Sequence, residues 1–449
     1  MNAVGARARA AGRVARAAGI ALLGAAALLE TAHLVAGRVG GFRPPPVPPP
    51  VAGMPLYPAS TREEGGVLVV RLGGEPAEIG RAHARLLRDE MVRTEQSVWA
   101  SFERLVPSVI LRTAVLDLAR VRYRALDQGM GPDRLIEIAA QAEAFAPDPF
   151  ASRAPTFERF VHLNALYDIA LGFEGSPLVG CTSFVVAGAD AAGGGALLAR
   201  TFDFEIDPVF DERKVVFVVA PAGGRRFASV AWAGLVGVIS GMNEDGLAVV
   251  VHGARAGEPR DSGEPLVHAL RRVLTTAADV PGAIAALAAR EPMVSHLVIA
   301  ADASGRAVAI ERVPGRPQHV RELGTAAVVT NHLEGPARGD PRNLAVERGT
   351  STRDRRARGE ELLARRRGPV TVEQLTAWLR DRQGAGDTPL PPGDRRAIDA
   401  DLAAHGVVLD TRARRLWVSR GPRLRGPMVP IELDTAGTTP VPPAAPGGD

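Results

Sequence analysis

Two textures divide the chain. From about Glu78 to Val106, apolar residues recur every three or four positions among acids and arginines, the spacing of a helix with one buried face. Asp133–Phe145 repeats that pattern, so the region before Gly180 is expected to be mainly helical. After Cys181 short apolar and β-branched runs take over: Thr182–Ala187, Ala196–Phe204, Val215–Ala220, Leu247–Val251, Leu297–Ala300, Ala307–Glu311 and Ala326–Thr330. Helical candidates stand between them at Pro265–Ala277, Pro281–Arg290, Gly359–Arg365 and Val372–Arg382. Paired strands with helices grouped between them predict an α+β or layered sandwich, not a regular βαβ alternation.

The ends read differently. Arg7, Arg9, Arg13 and Arg16 precede an uncharged run from Ala17 to Leu29, interrupted afterwards by Glu30 and His33. A basic start before an apolar run is the pattern of an export signal, and read through to Gly37 it approaches the ~20 residues that span a bilayer. Residues 1–43 are therefore expected to be a signal or membrane-anchor segment, leaving the rest outside the cytoplasm. A cytosolic amphipathic extension is the alternative. Residues 44–58, with their run of prolines, read as a stiff linker. Residues 435–449 read as a disordered Pro/Ala/Gly tail. No internal repeat is found.

Composition narrows the chemistry. The 449 residues carry 54 Lys plus Arg against 50 Asp plus Glu, yet Lys214 is the only lysine. That removes the P-loop lysine, Schiff-base lysines and Ser–Lys dyads unless Lys214 serves. Four Trp and three Tyr with no basic-aromatic cluster leave little for stacking bases, so nucleic acid is not an expected partner. Walker A, His-Glu-x-x-His, Gly-x-Gly-x-x-Gly and zinc-cysteine patterns are missing, and no metal or organic cofactor is expected. The single cysteine, Cys181, rules out an internal disulfide.

That cysteine sits in Gly180-Cys181-Thr182-Ser183-Phe184, at the start of a predicted hairpin whose turn is the Gly-rich stretch Gly188–Gly195. The second strand ends in Arg200-Thr201-Phe202-Asp203-Phe204, with Arg200 and Asp203 read as sharing a face. A glycine before a nucleophilic thiol leaves its carbonyl open and lets the backbone strain. The sulfur can then attack that carbonyl, take the acyl group, and release a new N-terminus on hydrolysis. The freed α-amine, with a pKa of ~7.7–8.0, suits a general base beside its own side chain. The plainer reading of the cysteine alone is a buried thiol at a strand start.

The surrounding residues favour the first reading. Gly180-Cys181-Thr182-Ser183 and Arg200-Thr201-Phe202-Asp203 resemble the N-terminal-nucleophile amidohydrolases. Further similarities follow in order: Gly241-Met242-Asn243-Glu244-Asp245-Gly246-Leu247, Ala300-Ala301-Asp302-Ala303-Ser304-Gly305 with Ala309-Ile310-Glu311, Thr330-Asn331-His332 and Ser351-Thr352-Arg353. Upstream, Glu78-Ile79-Gly80-Arg81-Ala82-His83 resembles a prosegment signature. The branch they resemble is the acyl-coenzyme A:6-aminopenicillanic-acid acyltransferase family, over about Val67 to Leu433.

The resemblance implies a four-layer αββα sandwich, with residues 59–180 a mainly helical prosegment and residues 181–434 the catalytic domain. It implies Cys181 as nucleophile for self-cleavage after Gly180 and for acyl transfer from substrate. Asp203 would take a hydrogen bond from the freed amine or steady the thiolate, and Arg200 would lower the thiol pKa. Asn331 would supply a side-chain N–H to an oxyanion. Arg353 would be an outer cation or a ligand to Asp203, with Arg355 and Arg356 competing for that place. His252 stands where the bile-salt and penicillin V amidase relatives carry Asn or Tyr, so it and His332 are candidate substrate contacts, packing being the alternative for both. Asn243 is expected to hold its turn, Ser183 to be structural, and Thr182 to assist cleavage.

The expected activity is hydrolysis of a linear amide, an N-acyl amine or amino-acid type substrate, through a thioester at Cys181. Transfer of an acyl group from a thioester to an amine is the alternative, and an inactive envelope protein with the same fold is a third. Expected partners are a small amide or acyl substrate, the chain's own cleaved prosegment, and a membrane through the N-terminal segment.

Overall fold

The computed structural model describes residues 27, 30–49, 59–172, 179–205 and 207–433. Among the described residues fifteen strands follow in chain order: β1 (Ser60–Glu64), β2 (Val67–Gly74), β3 (Val179–Ala187), β4 (Ala196–Phe204), β5 (Lys214–Pro221), β6 (Phe227–Trp232), β7 (Ser240–Asn243) and β8 (Ala248–Gly253). After them come β9 (His296–Ala301), β10 (Ala307–Arg312), β11 (His319–Glu322), β12 (Ala326–Val329), β13 (Ala403–Asp410), β14 (Arg415–Ser419) and β15 (Met428–Glu432). They form a nine-stranded sheet, β1-β2-β5-β6-β7-β8-β9-β10-β11, and a six-stranded sheet, β12-β3-β4-β13-β14-β15.

Strand periodicity explains the layering. In β3, Val185 and Ala187 face the other sheet, packing with Leu198, Val216, Val230, Val250 and Ile299. The alternate residues Phe184 and Val186 face outward onto Leu363, Leu375, Trp378 and Leu379. Those belong to the helices Thr352–Ala364 and Val372–Leu379. On the far side, Val70, Leu72, Phe217, Val249 and Ile310 pack under the helices Pro76–Leu105, Pro132–Ala144 and Leu266–Thr276. Both sheets are thus apolar on both faces and covered by helices, the αββα sandwich the resemblance implies.

The helix Pro76–Leu105 starts where the sequence dictates. Pro76 takes the first turn, where no N–H is needed, and Glu78 Oε2 accepts the Glu75 N–H at 2.9 Å. The segment before Gly180 is mostly helical, but it also supplies β1 and β2. The second of these runs parallel to β5, so the segment before Gly180 is built into the larger sheet. The hairpin β3–β4 is antiparallel, as expected, but its first strand starts two residues before the thiol: Gly180 pairs with Asp203 and Cys181 with Phe202.

Residues 30–40 are helical. They lie against the helix Val109–Arg122, with His33 Nδ1 2.9 Å from Asp117 Oδ1. The first prolines of the linker also touch the body: Val47 packs on the core, and Arg81 donates to the Pro48 carbonyl. Among the described residues no helix is long and apolar enough to cross a membrane. The arginine-rich start, nearly all of the apolar run and the tail at 435–449 lie outside the described residues.

Candidate active site

Three segments converge on Cys181, and each holds a different atom of it. Its backbone N–H donates to Asn331 Oδ1 at 2.8 Å, from the turn after β12. Its sulfur accepts from Arg200 Nη2 at 3.2 Å, from β4. Its carbonyl accepts from Arg355 Nη1, from the helix Thr352–Ala364. Arg355 also donates to Thr182 Oγ1 at 2.8 Å and to Asn331 Oδ1 at 3.0 Å. An arginine can only donate, so the Asn331 oxygen must be the atom turned toward Cys181.

Strand parity sorts the site into two faces. Cys181 and Arg200 point between the sheets, whereas Thr182, Thr201 and Asp203 point outward toward Arg355. Arg200 and Asp203 therefore do not share a face, because three residues along a strand reverse the direction of a side chain. Gly180 and Asp203 are paired across the hairpin, and a Cβ at Gly180 would stand 3.0 Å from Asp203 Oδ2. The absent side chain is what lets the carboxyl lie against the peptide bond into Cys181.

The electrostatics are those of a dry site. Arg200 is fully buried, with Nη1 on the Ile239 carbonyl at 3.0 Å and on Ser240 Oγ, Nη2 also on the Val251 carbonyl, and its guanidinium 4.5 Å from the Phe202 ring centre. Among the described residues no carboxylate bonds to it. Burial pushes the Cys181 thiol up, and Arg200 beside it works in the opposite direction. Burial raises Asp203 to about 7, against the pull of Arg355 and Arg200. Burial lowers Arg355, with the Asp203 charge opposing.

Several expectations need correction. Arg353 points away from the site: it is exposed and bonded to Glu347, and Arg355 occupies the place beside the nucleophile. The helix itself distinguishes them, since Thr352, Arg355, Gly359 and Leu363 form its buried stripe. Asn331 presents its oxygen to Cys181, and its Nδ2 uses one of its two hydrogens on the Gly253 carbonyl at 3.0 Å, which leaves the expected oxyanion role open. His252 and His332 have protein partners instead of an open space to line. His252 Nδ1 faces the Thr330 carbonyl at 3.1 Å, which requires it to donate, so Nε2 accepts from Ser183 Oγ at 2.7 Å. His332 Nδ1 contacts Thr352 Oγ1 at 3.0 Å. Burial holds both rings below the usual histidine range. Asn243 does hold its turn, bonding the Leu274 and Ala277 carbonyls and the Leu247 N–H.

Two groups escaped the sequence reading. Ser240 on β7 bridges Arg200 and His405, whose Nε2 is 2.9 Å away. Tyr167 comes from the helix Leu166–Gly172, before Gly180, and stacks on Phe202 at 5.9 Å and Phe204 at 6.3 Å, closing the site from that side. Phe204 in turn stacks on Trp232 at 5.5 Å. Trp232 lines a narrow cleft of about 20 Å³, walled by Met91, Thr94, Glu95, Val98, Phe160 and Phe210.

Residues 191–388 match the model of the family described as acyl-coenzyme A:6-aminopenicillanic acid acyl-transferase. That is the family its motifs resemble. The matched span includes Arg200, Asp203, Asn331 and Arg355 and begins ten residues after Cys181. The chain is also similar to solved structures. An N-acylethanolamine-hydrolyzing acid amidase ortholog of Caenorhabditis elegans is 16% identical, with a TM-score of 0.38 over 52% of this chain and 93% of that one. A penicillin V acylase of Agrobacterium tumefaciens is 18% identical, with a TM-score of 0.38 over 53% and 82%. A conjugated bile acid hydrolase of Clostridium perfringens is 11% identical, with a TM-score of 0.40 over 56% and 92%. Against curated proteins the chain finds no match.

Proposed function

We propose that the chain is a self-processing cysteine amidohydrolase whose first substrate is its own Gly180–Cys181 bond and whose second is an N-acyl amine. The observation that carries this reading is the separate grip on the N–H, the sulfur and the carbonyl of Cys181. A merely buried cysteine needs none of these contacts, and two buried guanidiniums are costly unless an anion forms between them.

In self-cleavage the Cys181 sulfur bonds to the Gly180 carbonyl carbon, and the C–N bond breaks. The departing nitrogen takes a proton from Asp203, whose carboxyl lies against that peptide bond; the thiol gives its proton to water and Asp203 regains one from water, since a carboxyl at about 7 both takes and gives a proton near neutrality. Water then hydrolyses the thioester, leaving a carboxylate on Gly180 and a free amine and thiol on Cys181. In turnover that amine, kept in place by Asn331 Oδ1, takes the thiol proton, and Arg200 supports the thiolate. The substrate acyl group moves to sulfur, its amine leaves protonated, and water releases the acid. Asn331 Nδ2 keeps one hydrogen beyond its bond to Gly253 for the oxyanion.

The buried aromatic wall of Phe202, Phe204 and Trp232 beside the site favours an apolar acyl group over a polar one. The description of the matched family favours a second reading, in which an amine, not water, takes the acyl group from sulfur. The test is a set of N-acyl amines with short, long and polar acyl groups, quenched in acid and weighed intact. An acyl adduct on the fragment beginning at Cys181, larger with apolar chains, supports the proposal. Turnover undiminished in Cys181→Ala sinks it.

A further inference from the structure

The helix Val109–Arg122 is turned inside out. It has no buried residue, and its apolar side chains Val109, Ile110, Leu111 and Leu118 are 55–68% exposed. Leu111, Ala114 and Leu118 follow one another at three and four residues, so they make one stripe. Leu105, ending the preceding helix, extends the stripe at 78% exposure. The helical residues 30–40 lie beside it and expose Leu34, Val35 and Val39 as well. A soluble surface rarely gathers so many large apolar side chains in one place without a partner.

We propose that this face rests on a lipid bilayer bearing anionic headgroups. Three features of the chain select that occupant. Residues 30–40 continue directly from the uncharged run Ala17–Leu29 and its four preceding arginines, a sequence of membrane-anchor character. The same residues are tied to the exposed helix through His33 and Asp117, so a bilayer holding the anchor lies beside the stripe. The exposed charge nearby is mainly basic, with Arg38, Arg43, Arg122 and Arg124 exposed against Glu30, while Arg104 is paired with Asp207. The placement also has a use under the reading above. Val98 lines the apolar cleft and Leu105 reaches the stripe on the same helix, about 10 Å apart along its axis. A bilayer at the stripe would lie close to this cleft, which would have to open to admit an acyl chain.

Hydrogen exchange of the full chain tests this, with phosphatidylcholine vesicles containing or lacking phosphatidylglycerol. Anionic vesicles should slow exchange in residues 105–118 about tenfold or more, and Leu111→Asp/Leu118→Asp should lose that protection and bind about tenfold more weakly. Both side chains are exposed, so the variant should fold, and retained self-cleavage would verify that apart from any membrane effect. Protection of 105–118 in vesicle-free monomer would overturn the proposal in favour of coverage by residues 1–29. Protection that grows with protein concentration alone would overturn it in favour of a second copy. Vesicle binding with 105–118 still exchanging freely would leave the anchor as the whole contact, and equal protection on neutral vesicles would remove the role of charge.

Discussion

Replacing Asp203 with asparagine should stabilise the uncleaved fold while stopping self-cleavage, and the gain should depend on pH. Asp203 stands at about 7 in the folded chain against an ordinary 3.8. Between those values the unfolded chain is ionised while the folded carboxyl keeps its proton, so stability falls as pH rises. The loss begins near pH 4, grows to about pH 7, and is constant above. Its full size, from the separation of the two values, is about 4 kcal/mol. Asparagine matches the protonated carboxyl in shape and does not titrate. Comparing Cys181→Ala with Cys181→Ala/Asp203→Asn keeps both chains uncleaved. Their melting temperatures should coincide below pH 4 and separate by about 4–5 °C at pH 8, given an unfolding entropy of ~2 cal/mol/K per residue. In the background with the thiol intact, Asp203→Asn should leave the chain unprocessed. A gap independent of pH, or a variant less stable at pH 8, would mean that Arg355 and Arg200 keep Asp203 ionised, and the proton-carrier role would fall.

Other substitutions separate the site from its surroundings. Arg355→Met removes the donor to Cys181, Thr182 and Asn331 and should destabilise by about 3 kcal/mol or more in denaturant titration and block processing. Arg353→Ala removes an exposed guanidinium whose nearly buried partner Glu347 keeps a hydrogen bond from Asn343 Nδ2, so it should cost about 1 kcal/mol and leave processing unchanged. Arg200→Met should slow alkylation of the processed thiol by iodoacetamide near neutral pH, because the cation that favours thiolate is gone. Gly180→Ala places a methyl 3.0 Å from Asp203 Oδ2, and displacing that carboxyl should slow cleavage about 10- to 100-fold without unfolding the chain.

The two-sheet core was legible because β4, β5 and β8 to β10 are apolar runs bounded by turn residues, and their lengths were read to within a residue or two. β2 was missed although Val67-Leu68-Val69-Val70 is such a run, because its parallel partner β5 lies over 140 residues away and nothing local announces the pairing. β13 to β15 were missed for a different reason. His405, Gly406, Arg415 and Pro430 interrupt the apolar pattern, and only tertiary contacts compensate.

At the site, the hairpin led to Cys181, Arg200 and Asp203, and the family resemblance added Asn331; the four do converge. The period of two along a strand already separates Arg200 from Asp203, and the period of the helix Thr352–Ala364 already prefers Arg355 to Arg353. Gly359 on that stripe marks the close approach, since a Cβ there would meet Val328 Cγ1 at 2.7 Å. The closure by Tyr167 and the neutral His252 and His405 depend on contacts between distant segments, and no local pattern encodes them.

The central claim is that the bond into Cys181 opens by its own chemistry. Intact-mass analysis and N-terminal sequencing of purified protein, beside Cys181→Ala, test it most directly. The account predicts two fragments, the larger beginning Cys-Thr-Ser-Phe, and a single uncut chain in the variant. A full-length chain with Gly180 still joined to Cys181, or the same cut in Cys181→Ala, would contradict it.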